Sequence, residues 1–174
     1  CFGVLYPEEY EEESKKAIRA IYDFATEGKY QGTDNKYIAN NLMNILFDPS
    51  NCIFEKYKSG DIREYKKVAQ KVKEYNKVEF VIAIIPDLND ESEENPYNPF
   101  KKVWAEKNIP SQMISVKTAK ILKDSKSNTG LYYLHNIILG ILGKIGGIPW
   151  AIDNMEGNID CFIGLDVGTR EKGI

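Results

Sequence analysis

Val78-Glu79-Phe80-Val81-Ile82-Ala83-Ile84-Ile85 is the stretch that decides the fold. With one exception its residues are apolar, and most of them are β-branched. A run of this kind predicts a strand that is covered on both faces, which is typical of the centre of a parallel sheet. Pro86 follows directly and ends the strand, because proline cannot donate to a strand ladder.

Helical and strand patterns alternate on both sides of this run. Apolar residues recur at helical spacing, and shorter apolar runs predict further strands. Strands that alternate with helices predict an α/β fold, a Rossmann-like open, mostly parallel sheet with helices on both faces. The predicted helices lie near 17–25, 37–47, 61–75 and 130–143, and the other predicted strands near 2–6, 113–116 and 159–167.

Size and charge restrict the class of protein. At 174 residues with 43% apolar residues, the chain is long enough for one compact domain with a core. A net charge of −3 argues against a generic binder of polyanions. Residues 97–146, however, hold eight lysines against two acidic residues, a local +6. Either this segment binds an anion, or residues 101–126 form a solvated basic face.

Three cysteines lie far apart, with no CxxC pair and no nearby histidine. The sequence therefore predicts neither a disulfide framework nor a zinc site, and a reducing cytoplasm is the expected location. Residues 131–148 are apolar but interrupted by polar residues and glycines, so we interpret them as a buried helix and expect no membrane partner. Because the chain begins at Cys1 within an apolar run, we interpret it as a piece of a longer protein, and we expect a monomer.

The first candidate site residues follow Asn95-Pro96, which is a typical N-cap and first position of a helix. Tyr97 and Lys101 are four residues apart and therefore share one helix face. A phenol and an ammonium would thus lie together near the positive end of a helix dipole. This arrangement predicts an anion-binding site.

Two more segments complete a pattern that resembles a known family. They are Ser111-Gln112-Met113-Ile114, after a proline, and Gly143-Lys144-Ile145-Gly146-Gly147. The order of these pieces resembles the MID domain of Argonaute proteins. The resemblance implies that Tyr97, Lys101, Gln112 and Lys144 hold the 5′ phosphate of a single-stranded guide, and that the tyrosine stacks on its first base. It also implies a target strand as second partner, with a DNA guide favoured over RNA.

Each of these residues also has a structural interpretation. Tyr97 could attach its helix to the sheet, Gln112 could cap a strand, and Lys144 could bond helix-terminal carbonyls before a Gly-Gly stop. The sequence also departs from the family at Gly140, where many eukaryotic members carry a second lysine. We therefore expect a pocket that is less positive or that is completed from elsewhere.

The closing residues 163–168 resemble the first strand of the PIWI domain. We accordingly predict a MID domain over 1–157 and the beginning of a PIWI domain over 158–174. Asp166 would be the first acid of an RNase H-type two-metal centre, binding Mg or Mn in the full-length parent. Because one carboxylate cannot assemble two metals, we expect cleavage by the parent, a guide-directed endonuclease, and none by this chain.

Two other functions stay open from the sequence. Residues 164–169 also resemble the phosphate-binding hairpin of sugar-kinase and actin-type ATPases, which would make the chain part of an ATP-dependent phosphotransferase. The Tyr97 pocket could instead belong to an interaction module for free nucleotides or a protein. A further question concerns the acidic loop 87–94, which either extends into solvent or recruits a divalent cation.

Overall fold

A computed structural model of the chain describes residues 1–27, 29–30, 33–34, 52–58, 61–75, 77–87, 97–124 and 128–147. Several sequence predictions lie outside these ranges, among them the helix at 37–47, the Asn95-Pro96 cap, the strand at 159–167, the resemblances over 163–169 and the metal ligand Asp166. The boundary predicted between residues 157 and 158 also lies outside them and stays a prediction.

The described residues form six strands, five α-helices and one 3-10 turn. The strands are β1 (Phe2–Pro7), β2 (Lys29–Tyr30), β3 (Thr33–Asp34), β4 (Ile53–Tyr57), β5 (Phe80–Ile85) and β6 (Ser111–Ser115). The 3-10 turn covers Glu8–Tyr10, and the helices are α1 (Glu11–Glu27), α2 (Ile62–Glu74), α3 (Tyr97–Ala105), α4 (Val116–Asp124) and α5 (Asn128–Lys144).

The main sheet has four parallel strands in the order β4-β1-β5-β6, and β2 and β3 form a separate antiparallel pair. Strand β5 lies between two neighbours, with Phe80 opposite Phe2 and Val81 opposite Ser111. All six residues of β5 are buried. The prediction of a central parallel strand covered on both faces is thus confirmed.

Helices cover both faces of this sheet, which confirms the predicted α/β class. On one face, α1, α4 and α5 pack against alternate residues of β1, β5 and β6. On the other face, α2 and α3 pack against the intervening residues of the same strands. Because successive residues of a strand point to opposite faces, alternate residues of one strand belong to different cores. Val4, Ile82 and Ile114 belong to the first core. Leu5, Val81 and Met113 belong to the second.

Strand β4 and helix α4 were not predicted, and Val116, predicted to end a strand, is the first residue of α4. Its N-terminus is capped twice: Ser115 Oγ accepts from the Thr118 N–H at 3.1 Å, and Asp87 Oδ1 accepts from the Lys117 N–H at 2.6 Å. These bonds satisfy two of the donors that a helix start leaves free. The chain therefore turns from strand to helix without a connecting loop.

The interpretation of residues 131–148 as a buried helix matches α5 in the part that the structure describes. Leu134, Ile138 and Ile141 of this helix are buried against the sheet. Across the described ranges, no helix is long and apolar enough to cross a bilayer.

Candidate anion-binding site

Strand β6 is the element around which the predicted site residues gather. Lys101 extends from α3 to the start of this strand, where its Nζ donates to the Ser111 carbonyl at 2.5 Å and to Ser111 Oγ at 2.9 Å. Ser111 is only 1% exposed. The ammonium of Lys101 is therefore held at a fixed position beside the buried start of β6.

Gln112, the next residue of β6, connects the strand to α5. Its Nε2 donates to the Met113 carbonyl at 3.0 Å, and its Oε1 accepts from Lys144 Nζ at 2.5 Å. Lys144 is the last residue of α5. Successive residues of one strand thus contact a lysine from each of two helices, although these lysines are 43 positions apart by residue number.

The two lysines form a local concentration of positive charge. Among the described residues, neither Lys101 nor Lys144 forms an ion pair with a carboxylate. Burial lowers the pKa of both side chains, and the positive charge of Lys144 lowers the pKa of Lys101 further. A bound anion close to the two ammonium groups would raise both pKa values again, because an opposite charge favours the protonated form of lysine.

The site has donors beyond those that its internal bonds use. An ammonium has three N–H donors and a carboxamide has two. Lys101 uses two on Ser111, Lys144 uses one on Gln112, and Gln112 uses one on Met113. The remaining N–H groups can serve the oxygens of a charged ligand, and bonds between ionised partners are the stronger kind.

A cavity of about 290 Å³ adjoins Gln112 at the carboxyl ends of β5 and β6. Tyr97, the first residue of α3 and 38% exposed, forms part of its wall. Ligands of open α/β sheets bind at this edge of the sheet. Other lining residues are Ser115, Thr118, Tyr133 and Asn136.

No role was predicted from the sequence for these other lining residues. On α5, Tyr133, Asn136, Gly140 and Lys144 follow one another at intervals of three or four positions. Residues at this spacing lie on one helix face. A polar and small stripe in an otherwise apolar helix could therefore have identified the wall of the site.

The C-terminus of α5 decides between two interpretations of Lys144. Two residues after the end of the helix, Gly146 has a left-handed φ of 86°, and the Gly147 N–H donates to the Leu142 carbonyl at 2.8 Å. This is the bond of a Schellman cap, which satisfies a terminal carbonyl through the backbone. The recorded partner of the Lys144 ammonium is Gln112, not a helix-terminal carbonyl.

The structure thus brings Lys101, Gln112 and Lys144 together at β6, with Tyr97 beside Gln112 in the cavity wall. Of the acidic loop 87–94, only Asp87 is described, and it caps α4. No cluster of three or more potential metal ligands occurs in the described segments.

The chain is similar to known proteins in both sequence and structure. A family model described as Piwi domain matches residues 80–174. The protein argonaute of Aquifex aeolicus (strain VF5) is 32% identical over an alignment of 99 residues, which covers 53% of this chain and 13% of that protein. A solved structure of Clostridium butyricum Argonaute bound to a guide DNA (5′ deoxycytidine) and a 19-mer target DNA is 66% identical, with a TM-score of 0.80. That match covers 99% of this chain and 23% of the Clostridium chain, so this chain spans about a quarter of that protein's length.

Proposed function

Since the chain belongs to the Argonaute family, which its Piwi-domain match shows, we propose that it anchors the 5′-phosphorylated end of a guide strand. In this proposal the described residues belong to the MID domain. One observation carries the proposal: Lys101 and Lys144 contact the adjacent β6 residues Ser111 and Gln112, close enough for the charge of Lys144 to lower the pKa of Lys101, and neither is paired with a described carboxylate.

The site suits a terminal phosphate better than an internal one. A terminal phosphate carries about −1.5 to −2 charges at neutral pH and offers three acceptor oxygens. An internal phosphodiester carries only one charge and has no free end. Two ammonium groups and one amide N–H therefore favour the end of a strand without reading its sequence.

The cavity beside Gln112 would receive the first base. Tyr97 lies in its wall and offers a flat ring, and stacking of a base on an aromatic ring contributes about 1–3 kcal/mol. Every base has a flat face, so this contribution is shared by all four bases. Phosphate and base would then be held by neighbouring parts of one site.

The comparisons support DNA as the guide. The Clostridium protein, 66% identical, is bound to a guide DNA and a target DNA in its solved structure. We therefore propose a DNA guide and a target strand as partners of the whole protein. Guide-directed cleavage, with Mg or Mn at Asp166, is also a proposal for the whole protein, and Asp166 lies outside the described residues.

The family match also bears on the phosphotransferase alternative. Residues 164–169, which resemble an ATPase hairpin, lie within the segment that the Piwi model matches. We therefore prefer a guide-binding role to ATP-dependent phosphotransfer. Competition by mononucleotides tests the remaining alternative, because a nucleotide-binding module would prefer them to a strand.

The proposal is tested by titrating the chain with fluorescent DNA and RNA strands that carry either a 5′ phosphate or a 5′ hydroxyl. We expect tighter binding of the phosphorylated strand. Lys144→Met should reduce this preference by about tenfold, which is the effect of losing one charge-assisted hydrogen bond. Lys101→Met should act in the same direction.

Lys102→Met is the matched control for both lysine variants. Lys102 is adjacent to Lys101 on α3, carries the same charge and is exposed, with Glu106 at 3.7 Å. It should leave the preference for a 5′ phosphate unchanged. Equal affinity of the wild type for phosphorylated and hydroxyl strands, or an equal loss in all three variants, would refute the proposal.

A further inference from the structure

We infer that Ser111 is a positioning residue of the anion-binding site, whose buried hydroxyl holds the Lys101 ammonium so that its remaining N–H group serves the phosphate. This inference rests on the proposed function, because it assigns a role within the same site. Ser111 is the first residue of β6 and directly precedes Gln112, which contacts Lys144. In this role Ser111 acts on the ligand through Lys101 and makes no contact with the ligand itself.

The position of Ser111 in the sheet is one that packing alone would fill with an apolar residue. Among the described residues, Ser111 and Ser14 are the two buried serines. Ser111 lies two positions before Met113 and so on the same face of β6, where Met113 belongs to the core formed with α2 and α3. An apolar side chain would extend that core, whereas a buried hydroxyl without a hydrogen bond costs free energy. Packing therefore does not account for serine here.

The contact with Lys101 does account for it. Lys101 Nζ lies 2.9 Å from Ser111 Oγ and 2.5 Å from the Ser111 carbonyl, so one residue supplies two acceptors to one ammonium. Two acceptors at fixed positions on a strand restrict the direction of the third N–H group. A lysine side chain has many rotamers when it is free, and one that is ordered before binding does not lose this freedom on binding. Ser111 thus orients Lys101 before the ligand arrives.

The surroundings of Lys101 disfavour its ammonium, which makes the hydroxyl more important. Burial lowers the pKa of Lys101, and the positive charge of Lys144 lowers it further. The hydroxyl opposes both effects, because a hydrogen-bond acceptor favours the charged form. In Ser111→Ala only the carbonyl acceptor remains, so we expect repulsion by Lys144 to move the Lys101 ammonium away from the site.

Ser111→Ala in the full chain is the test variant. We expect it to weaken binding of a 5′-phosphorylated DNA strand by about fivefold, the effect of losing one hydrogen bond. Binding of the 5′-hydroxyl strand should stay the same, because that strand lacks the group that Lys101 contacts. Ser111→Thr keeps the hydroxyl, and threonine is well suited to a strand. It should therefore bind the phosphorylated strand within about twofold of the wild type.

Ser14→Ala is the matched control. Ser14 lies on α1, is 0% exposed, and its Oγ has no hydrogen-bond partner in the part of the chain that the structure describes. The substitution removes a buried hydroxyl of the same kind, far from β6 in the sequence. It should leave the affinity for both strands unchanged. Equal losses in Ser14→Ala and Ser111→Ala would indicate a general effect on the fold and would contradict the inference.

A double variant tests whether Ser111 acts through Lys101. If it does, Ser111→Ala has no further effect on the affinity for the phosphorylated strand once Lys101→Met is present. An undiminished effect in that background, wild-type affinity of Ser111→Ala, or Ser111→Thr binding as weakly as Ser111→Ala would overturn the inference. Those outcomes leave the proposed function intact as long as the wild type prefers a 5′ phosphate. If the wild type shows no such preference, the proposed function and this inference both fail.

Discussion

Replacing Tyr65 with Phe removes one buried hydroxyl from the layer that holds α3 on the sheet. Trp104 Nε1 of α3 donates to the Tyr65 hydroxyl of α2 at 2.5 Å, and both residues are 0% exposed. The Tyr65 ring also lies against Phe100 of α3, with 4.1 Å between ring centroids. Phenylalanine keeps these ring contacts and deletes only the hydrogen-bond acceptor.

The loss of stability in Tyr65→Phe can be estimated from this geometry. The indole N–H would stay buried without its recorded partner, and an unsatisfied buried donor costs about 1–3 kcal/mol. For a chain of this size, each kcal/mol lowers the melting temperature by roughly 2–4 °C. We therefore expect Tyr65→Phe to lower the free energy of unfolding by about 1–3 kcal/mol, measured by urea titration.

Tyr132→Phe is the matched control, because it makes the same change at a side chain that is 70% exposed. It should alter the free energy of unfolding by less than about 0.5 kcal/mol. Since the rings still hold α3, which supplies Tyr97 and Lys101, Tyr65→Phe should bind the phosphorylated strand within about twofold of the wild type. A Tyr65→Phe chain as stable as the Tyr132→Phe chain would refute the assigned role of the buried bond.

Two further predictions concern packing and pH. Gly3→Ala would place a Cβ atom 2.8 Å from Val72 Cγ1, where β1 passes α2. We therefore expect the free energy of unfolding, measured with urea, to fall by about 1–3 kcal/mol. Gly143→Ala is the control and should not lower it, because a Cβ atom there meets no neighbour within 4 Å. Burial lowers the pKa of Lys144 in the folded chain below its ordinary 10.5. At a pH between these two pKa values the unfolded chain binds more protons than the folded chain, so the free energy of unfolding rises with pH. Lys144→Met should reduce this rise in stability as the pH approaches 10.5 from below, and an unchanged slope would contradict this assignment.

Some of the site was predictable because it depends on local geometry. Tyr97 and Lys101 share a helix face through their four-residue spacing, whatever surrounds the helix. The Gly-Gly stop after Lys144 was predictable for the same reason, since a left-handed residue ends a helix most easily when it is glycine. The family resemblance then connected these local features into one order.

Other parts of the site depend on long-range placement. Asp87 caps a helix that begins about thirty residues later, and the Gln112 carboxamide meets an ammonium 32 positions away. Strand β4 contains Glu55 and Lys56 among its apolar residues, so its composition did not identify it. Its pairing with β1 and the 2.6 Å contact of Lys71 with Glu55 hold it in the sheet.

The amino-acid sequence alone determined the central strand, the α/β class and the identity of four candidate ligand-binding side chains. Hydrophobic pattern specifies the strand and the class, because both follow from the fixed periods of the helix and the strand. The set of four side chains came from the order of short motifs that resembles the family. Only the tertiary structure decided that the Ser111 hydroxyl contacts the Lys101 ammonium and that two lysines approach β6 from different helices. These facts arise from the packing of separate elements, whose order in the sheet the local pattern does not encode.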